Sequence, residues 1–252
     1  MPKLDKVVAF LDEFLKTDDV KDSSWNGLQF EGNDEVKRVA FAVDAGVESF
    51  EKAAAENADL LVVHHGQFWE FRNPSIVGWT RKRIGVLFEN DMSLYCSHNP
   101  LDRHREVGHN AQLLKLLGAK ITGEFFHYHG KNIGWIGERK KAASIGEIEK
   151  KLNADLNTNC TVLPFGREKI KTIAVCSGGG SYSGFYEAMD AGVDLYLTGD
   201  AVEVYYTAAD AGMNVIFAGH HATETIGLKA LAEVVRKRLK VETVFIDLPT
   251  GL

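Results

Sequence analysis

Leu4, Val7, Val8, Leu11, Phe14 and Leu15 recur at helical spacing and predict an amphipathic helix over residues 4–16. A polar stretch follows and ends in Ser24-Trp25-Asn26-Gly27-Leu28. From Val36 onward, short apolar runs alternate with helical stretches. Residues 39–43 read as a strand, 47–57 as a helix, 60–63 as a buried strand, 77–89 as a helix and 94–97 as a strand. Runs of this kind predict a largely parallel sheet covered by helices on both faces. No proline-rich or glycine-serine linker interrupts the chain.

The pattern then repeats. Val36-Lys37-Arg38-Val39-Ala40 aligns with Ile170-Lys171-Thr172-Ile173-Ala174, and the same register matches Gly46 with Gly180, Ser49 with Ser183 and Ala54 with Ala188. After a one-residue slip, Asp59-Leu60 meets Asp194-Leu195 and His65 meets Asp200. Leu94-Tyr95-Cys96-Ser97-His98 matches Ile216-Phe217-Ala218-Gly219-His220, and each histidine is followed four positions later by a carboxylate, Asp102 and Glu224. Agreement in order, spacing and residue class predicts an α/β protein of two similar lobes, with layered sheets and helices on both faces. The expected division is residues 1–125 and 126–252, with the lobes intertwined and a metal site between them.

Composition narrows the function classes. The chain has 252 residues, 45% hydrophobic and 25% charged, which is globular rather than disordered composition. It lacks the run of roughly eighteen apolar residues that a membrane span requires, and Asp12 and Glu13 interrupt the N-terminal apolar segment, against a secretory signal. Cys96, Cys160 and Cys176 are scattered and form no C-x-x-C pair, which excludes a disulfide framework or thiolate knuckle and leads to the expectation of a reduced cytoplasmic location. A formal net charge of −6 argues against nucleic acid as the main partner.

The candidate chemistry lies at predicted strand ends, where open α/β sheets bind ligands. Val62-Val63-His64-His65-Gly66 places two imidazoles there. They are either a hydrogen-bonded pair near a loop or, because neighbours on a strand point to opposite sides, ligands of two different centres. In His98-Asn99-Pro100-Leu101-Asp102, Pro100 is expected to prevent regular helix directly after the strand. In Gly219-His220-His221-Ala222-Thr223-Glu224, His220 and Glu224 share a face if a helix begins there. Imidazoles with carboxylates and no thiolate suit zinc, iron(II), manganese or nickel. His64, His65, Asp102, His220 and Glu224 exceed the needs of one open zinc site and suit two divalent ions sharing a bridging carboxylate. Glu224 is the first choice for the bridge and Asp102 the second.

His98 and Asp200 are candidates to orient a ligand or shuttle a proton; Asp200 alternatively caps a helix. His104, His109, His127 and His129 are expected on the surface or in loops. The turn Ser177-Gly178-Gly179-Gly180-Ser181 offers amides for a phosphate, or is an ordinary glycine turn. Trp69, with Phe68 and Trp25, is a candidate platform for a planar base; for Trp25 a core position is the alternative.

Ser24-Trp25-Asn26-Gly27-Leu28-Gln29, Val63-His64-His65-Gly66, His98-Asn99-Pro100-Leu101-Asp102, Thr198-Gly199-Asp200 and Gly219-His220-His221-Ala222-Thr223-Glu224 stand in one order. In this the chain resembles the Nif-three-like family, whose members are commonly labelled GTP cyclohydrolase 1 type 2 homologues. The resemblance implies two α/β lobes, a dinuclear metal centre ligated by His64, His65, Asp102, His220 and Glu224, and a ring-shaped homohexamer. His221 stands where many members carry tyrosine, and residues 201–206 lack a histidine often found there. The expected activity is metal-dependent hydrolysis of a small-molecule substrate such as a purine nucleotide, with attack at C8 and loss of formate. The glycine turn would then hold the phosphates. The alternative is a non-catalytic metal-binding regulatory or interaction protein.

Overall fold

The computed structural model describes residues 1–252. In chain order the elements are α1 (Leu4–Leu15), β1 (Gly27–Phe30), β2 (Arg38–Asp44), α2 (Val47–Ala55), β3 (Leu60–His65), α3 (Gly78–Glu89) and β4 (Ser93–Cys96). Next come α4 (Asn99–Arg103), α5 (His109–Leu116), β5 (Ala119–Tyr128), β6 (Lys131–Ser144), α6 (Ile145–Leu156) and β7 (Thr161–Pro164). The chain ends with β8 (Lys169–Cys176), α7 (Ser181–Asp190), β9 (Leu195–Thr198), α8 (Tyr205–Ala211), β10 (Asn214–Phe217), α9 (His220–Leu239) and β11 (Glu242–Phe245). The structure forms two units, Met1–Leu101 with Leu228–Leu248, and Asp102–Gly227 with Pro249–Leu252. The division expected near residue 125 falls instead within α4, because the β5–β6 hairpin belongs to the second sheet. It also falls within α9, because β11 pairs with β2 in the first sheet.

In the first unit the sheet order is β1-β4-β3-β2-β11. β2, β3 and β4 are mutually parallel, and β1 closes one edge antiparallel to β4. The interior of β2 and nearly all of β3 are buried without alternation, as expected for strands covered on both faces. Phe50, Leu61, Leu87 and Leu94 belong to the core of this unit. Helix α1 buries Leu4, Val7, Leu11 and Leu15 and ends at Lys16 in a left-handed conformation.

The second unit has the order β5-β6-β8-β9-β10-β7. Here β8, β9 and β10 are parallel, with β7 antiparallel at the edge beside β10. The succession β2-β3-β4 with antiparallel β1 is thus matched by β8-β9-β10 with antiparallel β7. Glycines that align in the repeat occupy equivalent places, Gly46 as the N-cap of α2 and Gly180 as the N-cap of α7. The aligned aspartates do the same work. Asp59 Oδ2 accepts from Lys37 N and Arg38 N at 2.7 and 2.9 Å, and Asp194 Oδ2 accepts from Lys171 N and Thr172 N, both at 2.9 Å. Burial opposes ionisation of Asp194, but these amide bonds, the Thr172 hydroxyl and Arg167 hold its pKa below the usual carboxylate value. Helix α6 opens with a capping box between Ser144 and Glu147 and buries Ile148, Leu152 and Leu156.

No helix is long and apolar enough to cross a membrane. One local expectation fails. Pro100 lies inside α4, at its second residue. The first turn of a helix needs no intrahelical donor there, so proline is tolerated.

Candidate metal centre

Each unit gathers histidines and carboxylates at the carboxyl ends of its parallel strands. In the first unit, Asp44 ends β2, His64 and His65 end β3, and His98 follows β4. His64 Nδ1 is 3.0 Å from the Ser97 carbonyl oxygen, and His65 Nδ1 is 2.7 Å from Asp44 Oδ1. His98 Nδ1 faces both oxygens of Asp22, at 2.9 and 3.0 Å. One ligand atom each of His64, His65 and His98 lie within 4.8 Å of one another. The rings of His64 and His65 are 4.7 Å apart, so strand alternation does not send them to separate places. Alternation governs the Cβ atoms; the side-chain torsions bring the imidazoles back together.

Asp22 is fixed from several sides. Its carboxylate is 1% exposed and accepts from Asn26 Nδ2, Ser24 N and Asn99 N. Burial would raise its pKa, but the hydrogen bond and charge of His98, with Asn26 and Ser24, hold it down at about 2.

In the second unit, His220 opens α9 and its Nδ1 is 2.8 Å from Asp200 Oδ1. The i, i+4 spacing sets His220 Nε2 3.2 Å from Glu224 Oε1, and Glu224 is buried. Asp200 caps no helix: α8 begins only at Tyr205, and its carboxylate holds His220 instead. Asp102 is buried and accepts from Ser177 Oγ at 2.9 Å. His109, expected on the surface, is fully buried on α5. Its Nδ1 accepts from Gly227 N at 3.2 Å, which puts the proton on Nε2. A ligand atom of His109 lies within 4.8 Å of one of Asp102. His221 is buried and falls outside these groups of mutually close donors.

The glycine turn has work other than an open phosphate cradle. Gly178 N donates to Thr223 Oγ1 and Gly180 N to Thr198 Oγ1, while the Gly178 carbonyl accepts from Gly199 N and Asp200 N. Gly178 has φ +57°, and a Cβ built on it would lie 2.1 Å from Glu224 Oε1 and 3.0 Å from His220 Nε2. Glycine is required here so that the turn can approach these side chains. Burial keeps the thiols protonated in both units: Cys96 is pushed up to about 12, and Cys176 is raised well above its ordinary value, with help from Asp102 and Glu224.

Trp69 stands with its ring edge-on to His98 at 5.1 Å and donates from Nε1 to the Gly66 carbonyl. Phe68 and Trp69 line a cavity beginning at Gly66. Trp25 is half exposed against Phe68, not in the core.

The family described as Duf34/NIF3 (NGG1p interacting factor 3) matches residues 2–250. The chain belongs to this family. A relative from Archaeoglobus fulgidus named "GTP cyclohydrolase 1 type 2 homolog" is 48% identical over 250 residues, covering 99% of each chain. Among solved structures, protein ybgI, of unknown function, superposes with a TM-score of 0.92 at 34% identity, covering 99% of this chain and 100% of that one. TTHA1606 from Thermus thermophilus gives 0.89 at 36% identity, with the same coverage. Family membership agrees with the two-sheet α/β architecture and with groups of histidine and acidic side chains that could hold a metal ion.

Sequence reasoning missed Asp22, Asp44 and the burial of His109. Asp44 carried a usable signal, since it ends a predicted strand beside the one bearing His65. Asp22 carried none, lying 76 residues from His98 in a polar loop.

Proposed function

We propose that the chain is a divalent-metal-dependent hydrolase of a purine nucleotide or related phosphate compound, with His64, His65, Asp102, His220 and Glu224 as ligands of two ions. One observation carries the reading. His64, His65 and His220 each commit Nδ1 to an oxygen, from Ser97, Asp44 and Asp200 respectively. An imidazole that donates from Nδ1 presents the Nε2 lone pair, the arrangement in which histidine binds metal. The donor set of imidazoles and carboxylates, beside thiols kept neutral, suits zinc, iron(II), manganese or nickel.

When bound, such ions would lower the pKa of water and polarise the bond under attack. Asp44 and Asp200 hold their histidines in one tautomer and one orientation. Glu224, whose Oε1 meets His220 Nε2, would hold a bound ion together with His220. His109, a ligand atom of which lies within 4.8 Å of one of Asp102, stands close enough to influence that carboxylate. His98, held by an ionised Asp22, carries or releases a proton at Nε2 next to His64 and His65.

The name of the Archaeoglobus relative makes GTP the first substrate to try. Protein reconstituted with each of the four metals is incubated with GTP and other nucleotides, and formate and phosphate are measured. Turnover in wild type, its loss together with metal in Glu224→Ala, and its loss with metal retained in His98→Ala are the expected results. A fully loaded protein that releases neither product from any nucleotide contradicts the hydrolase reading.

A further inference from the structure

Beside the histidine pair of the first unit, residues 66–83 enclose a cavity of about 630 Å³, within the range of small-molecule sites. Its floor and rim are aromatic, from Phe68, Trp69, Phe71 and Trp79. Phe71 and Trp79 are 71% and 53% exposed, so large apolar faces are left in water at the mouth. Two guanidinium groups converge on the Trp79 ring, Arg83 at 4.8 Å and Arg72 at 6.0 Å from its centroid.

No carboxylate touches either cation. Arg83 Nη1 donates to Gln67 Oε1 at 3.2 Å, and neither arginine has a carboxylate within ion-pair distance; the charge of Asp44 reaches Arg83 only at longer range. Gln67 is itself buried, and its backbone amide donates to Gln29 Oε1 at 2.7 Å. Arg83 is therefore aimed by a buried, anchored neutral acceptor. Partial burial of the Arg83 cation without a contacting counter-ion costs free energy, and an anion in the cavity offsets that cost, with exposed Arg72 free to turn toward it. Paired guanidinium groups match a dianionic phosphate better than a single carboxylate, and the aromatic wall offers a planar ring a stacking surface.

We infer that this cavity is a recognition site for a phosphomonoester carried on a planar ring system, with Arg83 and Arg72 receiving the phosphate. Its use as the substrate's anchor rests on the hydrolase reading above; binding to the cavity does not. The phosphate contact expected of the glycine turn moves to these arginines.

The test is calorimetric titration of the full chain, stripped of metal by chelation and dialysis, with AMP, adenosine and inorganic phosphate at low salt. AMP should bind, and adenosine and phosphate should each bind at least about tenfold more weakly. Arg83→Gln should weaken AMP about tenfold or more, and Arg83→Lys should fall between, with far-UV circular dichroism confirming that each variant is folded. Trp79→Leu should weaken AMP and adenosine alike. Equal binding of AMP and adenosine, or wild-type affinity in Arg83→Gln, overturns the proposal. So does absence of AMP binding with and without metal, including the case where Arg83→Gln instead alters the sedimentation coefficient and reveals a protein interface. Metal content is measured on the same samples. Normal loading without AMP binding sinks the cavity alone; AMP binding by a chain that takes up no metal sinks the metal reading alone.

Discussion

Gly178→Ala separates two explanations of the glycine-rich turn. The left-handed backbone at φ +57° costs a non-glycine residue about 1–2 kcal/mol. The added Cβ would sit 2.1 Å from Glu224 Oε1 and 3.0 Å from His220 Nε2. A carboxylate end can yield more readily than a backbone, so Glu224 must withdraw by roughly 1.3 Å or more to regain ordinary van der Waals contact. That motion takes a proposed bridging ligand out of place while leaving the sheet intact. The expected outcome is a folded protein about 1–2 kcal/mol less stable to urea, with metal affinity reduced about 10- to 100-fold. Denaturation of the metal-free protein and elemental analysis after equilibration with buffered zinc measure the two effects separately. Wild-type metal affinity in Gly178→Ala would refute the argument that this glycine exists to admit Glu224.

Asp44→Asn and Asp200→Asn should each weaken metal binding about 10- to 100-fold with little change in fold, measured by competition with a metallochromic chelator. Asp22 supplies a pH test. Its pKa lies near 2 when folded and near 3.8 when unfolded, so it contributes about 2 kcal/mol above pH 4 that is lost as pH falls toward 2. The stability difference between wild type and Asp22→Asn in urea should shrink over that window; a difference that grows with acid would contradict the assignment. Asp194→Ala removes the acceptor of two backbone amides and the Thr172 hydroxyl and should cost about 1–3 kcal/mol, as should Asp59→Ala in the other unit.

The repeated strand-helix units were legible because they are local. Residues 39–43, 47–57 and 60–63 are recovered within a few positions as β2, α2 and β3. The repeat also paired residues that the fold uses alike: Gly46 and Gly180 are helix N-caps, and Asp59 and Asp194, just before β3 and β9, accept from backbone amides at Arg38 and Lys171. Elements whose placement depends on distant chain were not legible. β11 pairs with β2 across the length of the protein, and a break in register between Glu138 and Ala143 obscures the period of β6. At the site, the histidines and carboxylates at strand ends were found because topology puts ligand groups there. The partners that orient them were not, since a hydrogen bond such as Asp22 to His98 leaves no spacing in the sequence. The glycine turn stayed open for a related reason: a sequence shows that amides could be exposed, while only the fold shows that Thr198 and Thr223 accept from two of them.

The proposed function stands on two divalent ions held by His64, His65, Asp102, His220 and Glu224. Elemental analysis of protein purified without chelator, wild type beside His65→Ala and Glu224→Ala, tests it most directly. Two divalent ions per chain in wild type, and metal loss in both variants, are the expected results. Metal-free wild type after incubation with all four metals, or variants that keep both ions, would contradict it.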